Sequence, residues 1–499
     1  MVKNHNEPDN KLHTVALSSG LIEGFLDRGA LVFLGIPYGA STADEFRFQP
    51  PRPALPWSGV RKANAFGPKC PQPPLPLPPG FRDLILFADL PQSEDCLNLN
   101  VWTAAAEVKT PRPVVVWLHG GAFTSGTGAE PDYDGANLAT RNDVVVVTLN
   151  HRLNVFGFLD LSQSGIDAFS KSANAGMLDI VLALEWIKNN IAQFGGDPAN
   201  VTVFGQSGGG VKVSTLLSMP AAQRLFQKAV VQSAHLLDIS TVAHSAEISK
   251  DVLKKLEITA QNVAALQALS VEQLLQATAD VQFTPTVDGT VVIAQPMAAS
   301  LHLDVPVIIG WTADEMTVFL LPDPHFAHID EAALRARVAE MVGAERADAA
   351  IANYREKAPD DSPGYLLASF LTDQVFMRNA LTLADRKLKQ GGAAVFLYRL
   401  DWRSPVLAGA LRATHGIDMA MWFDNCERKS SLINSDSEAI ALGKYLSGAL
   451  VAFAHTGKPN SSALPSWPAY THQDRQTLIF DITPQVISDP MQQSRDFLK

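Results

Sequence analysis

The feature that most constrains this chain is Val201-Thr202-Val203-Phe204-Gly205-Gln206-Ser207-Gly208-Gly209-Gly210. Four strand-forming residues run straight into Gly-x-Ser-x-Gly, and a helix-like segment follows. That order predicts a sharp strand-to-helix turn with a serine hydroxyl standing at its apex. Glycines at 205 and 209 suit a turn so cramped that a side chain would meet neighbouring backbone. A serine hydroxyl is a poor nucleophile alone, so such a turn calls for a base and an orienting acid from elsewhere in the chain.

The surroundings suit such a turn. Short, continuously apolar, β-branched runs at 114–118, 144–149, 201–204, 229–232, 305–309 and 395–399 alternate with helix-length segments. Continuous rather than alternating apolarity implies strands buried on both faces, as in a mostly parallel sheet covered by helices. Residues 179–194 read as a crossover helix. Ile180, Leu182, Ala183, Leu184, Trp186, Ile187 and Ile191 form its stripe, and Gly195-Gly196-Asp197-Pro198 stops it. Residues 438–454 read as a late helix and 477–481 as a final short strand. No linker divides the 499 residues cleanly. The expected class is therefore α/β: a flexible tail over 1–12, then one domain over 13–499, with a large mostly parallel central sheet, flanking helices, and loop and helical insertions.

Charge and composition exclude other classes. The net charge is −11 and Lys and Arg form no basic stripe, so no nucleic-acid partner is expected. No apolar run approaches the roughly 20 residues of a membrane helix, so no membrane span is expected. The first ten residues are polar and lack the core of a signal peptide. A cytoplasmic location is the expectation, with a mature secreted or periplasmic chain as the other reading. Three cysteines, Cys70, Cys96 and Cys426, are too few and too dispersed for a zinc site. Neither metal nor organic cofactor is expected, and the sequence sets no oligomeric state. Cys70 and Cys96 bracket a proline-rich stretch and read either as the ends of one closed loop or as two reduced thiols.

The partners of Ser207 are sought in the same way. A serine hydrolase needs backbone N–H groups aimed where negative charge develops on the carbonyl oxygen. Trp117-Leu118-His119-Gly120-Gly121-Ala122-Phe123 leaves the end of a predicted strand with small residues. Gly121 and Ala122 are the candidate donors, with Gly208 as the third. Among the histidines beyond residue 315, His415 is the best candidate base, because it lies on a small-residue loop beside an apolar, aromatic run. The acid belongs after the 305–309 strand, where Asp314 and Glu315 stand side by side, and strand geometry does not choose between them.

Further motifs complete a pattern. Phe33-Leu34-Gly35-Ile36-Pro37-Tyr38, Arg47-Phe48, Ser93-Glu94-Asp95-Cys96-Leu97-Asn98-Leu99-Asn100-Val101-Trp102, Phe194-Gly195-Gly196-Asp197-Pro198 and Trp467-Pro468-Ala469-Tyr470 bracket the serine turn in order. The chain thereby resembles the type-B carboxylesterase/lipase family of the α/β-hydrolase fold, and most of all its bacterial para-nitrobenzyl-esterase-type members. The resemblance implies an ester hydrolase with Ser207 as nucleophile, Glu315 rather than Asp314 as acid, His415 as base, and Gly121, Ala122 and Gly208 as oxyanion donors. It also implies ion pairs Arg47–Glu94 and Arg152–Asp179, a loop from Cys70 to Cys96 that is often disulfide-closed, and supporting positions at Ser233 and Asp418.

The chain departs from the family at Gln206, where glutamate is usual, at Gly208, where alanine is usual, and at His151, where tyrosine is usual. A neutral Gln206, and the lack of a tryptophan between Cys70 and Cys96, argue against a cationic choline substrate. The expected substrate is a small neutral ester with an apolar part, bound among Phe123, Phe156, Phe319, Met421, Trp422 and Phe423. Hydrolysis of an amide or carbamate, or a catalytically silent binding module, are the alternative functions.

Overall fold

The structure is a computed structural model that describes residues 13–74, 88–105, 109–428, 432–435, 437–495 and 497. The tail expected over 1–12 lies outside the described residues. In chain order the strands are β1 (His13–Leu17), β2 (Gly20–Asp27), β3 (Ala30–Pro37), β4 (Val60–Lys62), β5 (Asn98–Thr103), β6 (Arg112–Leu118), β7 (Val145–Leu149), β8 (Gly196–Gln206) and β9 (Lys228–Gln232). Two short strands, β10 (Ser240–Thr241) and β11 (Thr286–Val287), pair with each other. The remainder are β12 (Val307–Thr312), β13 (Val395–Leu400), β14 (Gln476–Phe480) and β15 (Gln485–Ser488).

Among the described residues, thirteen strands form one sheet in the order β1-β2-β3-β5-β7-β6-β8-β9-β12-β13-β14-β15, with β4 beside β2. From β7 to β14 every neighbour is parallel. The ends are antiparallel, except that β4 runs parallel to β2. The apolar runs read from the sequence fall on this parallel centre, where both faces are covered. Strands β1 and β2 escaped that reading because their residues vary between exposed and buried positions.

Side chains alternate between two cores. Val114, Val116 and Leu118 of β6 enter one, and Val115 and Trp117 enter the other, so the cores lie on opposite faces of the sheet. Helix α1 (Ala175–Asn190), the expected crossover, starts four residues before its predicted position and closes in a 3-10 turn over Ile191–Phe194. Helix α2 (Gly208–Leu216) leaves β8 after a single residue and is buried along its whole length. Helices α3 (Glu331–Val342), α4 (Ala344–Lys357) and α5 (Pro363–Thr372) share a small core built on Leu334, Val338, Tyr354, Leu367 and Phe370. A π turn over Asp373–Met377 joins α5 to α6 (Arg378–Gln390), and α7 (Ser437–Thr456) covers the second core.

Register places the chemistry. Leu118 pairs with Gly205, Gln206 with Gln232, and Gln232 with Gly310. The carboxyl ends of β6, β8, β9 and β12 are therefore side by side, and the loops leaving them share one edge. In open α/β sheets that edge is where ligands bind.

Candidate active site

Ser207 is the single residue between β8 and α2. Its φ of 58° and ψ of −123° lie in a region that non-glycine residues seldom occupy. Its N–H donates to Gln232 O at 2.9 Å, and its carbonyl accepts from Val211 N at 3.1 Å, so both sides of the turn are fixed. Of the ten residues from 201 to 210, only Ser207 is not buried. The predicted cramping is present. A Cβ at Gly205 would lie 2.7 Å from both Gly209 C and Leu118 O, and one at Gly209 would strike Leu118 O.

The turn after β6 lies directly on this serine. A Cβ on Gly120 would sit 3.4 Å from Ser207 Cβ and 3.2 Å from Gln206 Oε1. Gly121 and Ala122 both have positive φ, 83° and 53°. Thr124 N and Ser125 N both donate to Gly121 O, at 3.2 and 3.1 Å. Gln72 braces the far side, accepting from Gly126 N at 2.8 Å and donating to Gly126 O at 3.1 Å. The start of α2 meets the same turn, where a Cβ on Gly208 would come within 2.5 Å of Ala122 Cα. The three candidate donor residues are thus packed around Ser207. Gly208 opens a regular helix, so its departure from alanine makes room for Ala122 rather than loosening the backbone.

Base and acid arrive from the other side. His415 lies on the segment after β13, and its Nδ1 hydrogen-bonds Glu315 Oε2. Glu315 is fully buried, and its Oε1 accepts from Thr312 N at 2.8 Å. Asp314 turns away: its carboxylate accepts from Ala413 N at 3.3 Å and lies 3.7 Å from Arg412 and 3.9 Å from Arg403. Burial pushes the Asp314 carboxyl up from its ordinary value. The chain itself thus separates two neighbours that strand geometry left equivalent. Thr414 fastens the base loop, taking bonds from Thr317 Oγ1 at 2.8 Å and Val318 N at 3.0 Å.

The remaining expected residues divide. Gln206 reaches the base, its side-chain nitrogen 3.1 Å from His415 Nε2. Asp418 is buried and accepts from Tyr398 OH at 3.2 Å and Trp422 Nε1 at 3.1 Å, and burial followed by the charge of Glu315 raises its carboxyl to about 6. Ser233 has a φ of 48° and donates its N–H to Gly310 O at 2.8 Å; its buried hydroxyl has no hydrogen-bond partner among the described residues.

Phe319, 52% exposed, has its ring 5.1 Å from His415. Phe123, Met421 and Trp422, expected at the pocket, are fully buried and packed within the two cores. Phe123 packs edge-on against Phe158 at 5.1 Å. Trp422 packs on Tyr398 and Phe480, and Met421 lies in the same core. Phe156 and Phe423 are core residues too.

Two neighbours of the site escaped the sequence reading. Phe376, on the π turn, stands 5.2 Å from His415. Lys212 lies on α2, fully buried. A lone lysine within Gly-Gly-Val-Lys-Val was the available signal for it. The expected ion pairs are present and buried, Arg47–Glu94 at 2.6 Å and Arg152–Asp179 at 2.6 Å. Cys70 and Cys96 are separate buried thiols, and their mutual hydrogen bond and burial push Cys96 well above the usual thiol value.

The chain is similar to known proteins along nearly all its length. It is 35% identical to the para-nitrobenzyl esterase of Bacillus subtilis (strain 168), covering 97% of this chain and 98% of that one. It is 33% identical to the phenmedipham hydrolase of Pseudarthrobacter oxydans, over 94% of each. A crystal structure of a Geobacillus stearothermophilus carboxylesterase superposes with a TM-score of 0.85 at 36% identity, covering 97% of this chain and 100% of that one. The fold is therefore that of the α/β-hydrolases, as the sheet order and the serine turn already indicated. The model of the carboxylesterase family matches residues 11–498, a span that takes in every strand from β1 to β15, and this protein belongs to that family.

Proposed function

We propose that Ser207 is the nucleophile of a serine esterase acting on small neutral esters, with His415 as base and Glu315 as acid. Hydrolysis of carboxylic esters is the family's chemistry. The observation that carries the residue assignment is the hydrogen bond that His415 Nδ1 donates to Glu315 Oε2, which leaves Nε2 facing the turn that bears Ser207. Ser207 attacks the ester carbonyl while His415 takes its proton. Glu315 holds the imidazole in the productive tautomer and stabilises the imidazolium. The N–H groups of Gly121, Ala122 and Gly208 receive the oxyanion. His415 then protonates the leaving alcohol, and water repeats the sequence on the acyl-enzyme.

In the resting arrangement the Gln206 amide meets Nε2, so proton transfer requires the Ser207 hydroxyl to take that place. Both side chains lie against Gly120. Phe319, exposed beside the base, presents apolar surface there, which supports a neutral, partly apolar substrate. Residues 13–499 act as one catalytic domain in this reading, because the sheet draws β1 and β15 from opposite ends of the chain. The test is labelling with a fluorophosphonate followed by peptide mass mapping. The expected adduct is on Ser207, and an adduct on any other serine overturns the assignment.

A further inference from the structure

A buried lysine usually has a carboxylate beside it, because an unpaired ammonium in a dry interior is costly. Lys212 has none: among the described residues it forms no ion pair. Its Nζ donates to His119 O at 2.9 Å and lies 5.4 Å from the centre of the Phe123 ring. Burial alone pulls its ammonium down to about 7. The groups around it offer no compensating charge. His119 and His151 stack at 4.9 Å with 15° between their rings, and the Nε2 of each has no partner among the described residues. The buried Nδ1 of His235 is unpartnered in the same sense. Burial lowers all three imidazoles, His235 to about 4. Beyond them, Arg152 is already taken by Asp179.

The position of Lys212 gives this cost a purpose. His119 and Phe123 are the first and last residues of the loop that holds Gly120, Gly121 and Ala122. Lys212 touches both ends of it from beneath. Its own helix begins at Gly208, the third donor. One side chain therefore links the two segments that must converge on a single oxygen. The bond to His119 O also fixes the plane of the His119–Gly120 peptide, at the root of the loop.

We propose that Lys212 is a positioning residue for the oxyanion hole, holding the 119–123 loop in register with the start of α2. The proposal rests on the assignment of Ser207 and its three amide donors. The amine keeps an N–H for His119 O whether it is protonated or not, so the positioning does not depend on pH.

The test compares Lys212→Met, which keeps the length and loses the donor, with Lys212→Gln, which keeps a donor. For Lys212→Met we expect kcat to fall about 10- to 100-fold, somewhat less than the loss of an oxyanion donor itself. KM should stay within about twofold, because the loop acts on the transition state rather than on substrate binding. Affinity for a trifluoromethyl ketone, which forms a tetrahedral adduct, should fall in step with kcat/KM. The deficit should be constant from about pH 6 to pH 9. Lys212→Gln should regain most of the lost kcat. Wild-type kcat in Lys212→Met, or equal losses in both variants, overturns the proposal. Should Lys212→Met not fold, Lys212→Ala with added ethylamine decides: rescue of kcat supports the proposal and its absence overturns it. Ser207→Ala in the same series separates the two assignments. An inactive Ser207→Ala beside a fully active Lys212→Met sinks only the role of Lys212, whereas an active Ser207→Ala sinks the nucleophile.

Discussion

Two buried polar regions flank Ser207, and they are built from opposite chemistry. On the oxyanion side lie Lys212, bonded to His119 at the root of the loop, and His151, stacked on His119, with His235 near Lys212, all bases. Behind His415 lie Glu315, Asp418 and Tyr398, all acids. Burial penalises the charged form in both places, so it acts on them with opposite signs. The bases are pushed down, Lys212 to about 7 and His235 to about 4. On the acid side Asp418 is pushed up to about 6, and the Tyr398 phenol is pushed up as well. The site is therefore polarised, with nitrogen groups on one side of Ser207 and oxygen acids on the other. Donors sit where the reaction creates a negative oxygen, and acceptors sit where it creates a positive imidazole. A site of this kind binds the transition state in preference to a neutral ester.

The comparison can be broken at its centre. Ser207→Ala removes the atom between the two regions, and kcat should fall by about 10⁴ or more with the fold intact. Retained turnover would mean the regions flank something other than a nucleophile. Glu315→Gln leaves His415 without its anionic partner and should cost on the order of 10³ to 10⁴ in kcat. Asp314→Asn, one residue away but turned to Arg412, should stay within about threefold. Assays of the two variants side by side decide whether position in the chain or direction of the side chain matters.

Asp418→Asn tests the acid region more gently. The folded chain holds a proton on Asp418 that the unfolded chain has lost between about pH 4 and about pH 6. Stability from this group is therefore present at low pH and lost as pH rises through that interval, and the variant should flatten the slope in denaturant titrations. At neutral pH the lost carboxylate should lower kcat about three- to tenfold, because it stabilises the imidazolium through space. The smallest expected effect is that of Gln206→Glu, which places an acid where an amide meets His415 Nε2. The acidic limb of kcat/KM on one neutral ester should move up by about one pH unit or less, because a protonated base is inactive and a nearby anion stabilises it. An unmoved or lowered limb would show that residue 206 does not act on the base.

The parallel centre of the sheet and the serine turn were legible in the sequence, because each depends on local rules. Four strand formers at 201–204, glycines at 205 and 209, and continuous apolarity at 114–118 state their environment outright. The hydrogen-bond partner of His415 was not legible from strand geometry, because Asp314 and Glu315 differ only in where Arg412 and Ala413 draw one of them. The packing of the expected pocket residues was not legible for the same reason. Met421 and Trp422 are near His415 along the chain, yet the short helix they occupy points them into the core under α7. Phe376 comes from far along the chain, brought in by helix packing that no local pattern announces.

The backbone that carries that aromatic departs from a regular helix. The π turn at Asp373–Met377 fits one more residue into a helical path than a regular helix holds. Each residue in a regular helix turns the chain by about 100°, so deleting one here would swing everything between α5 and Phe376 round by that angle. Phe376 would leave the face of His415 while the sheet, the serine turn and the oxyanion loop stayed where they are. A lineage can therefore change what presses on the base by gaining or losing a single codon, without altering any residue that performs the chemistry.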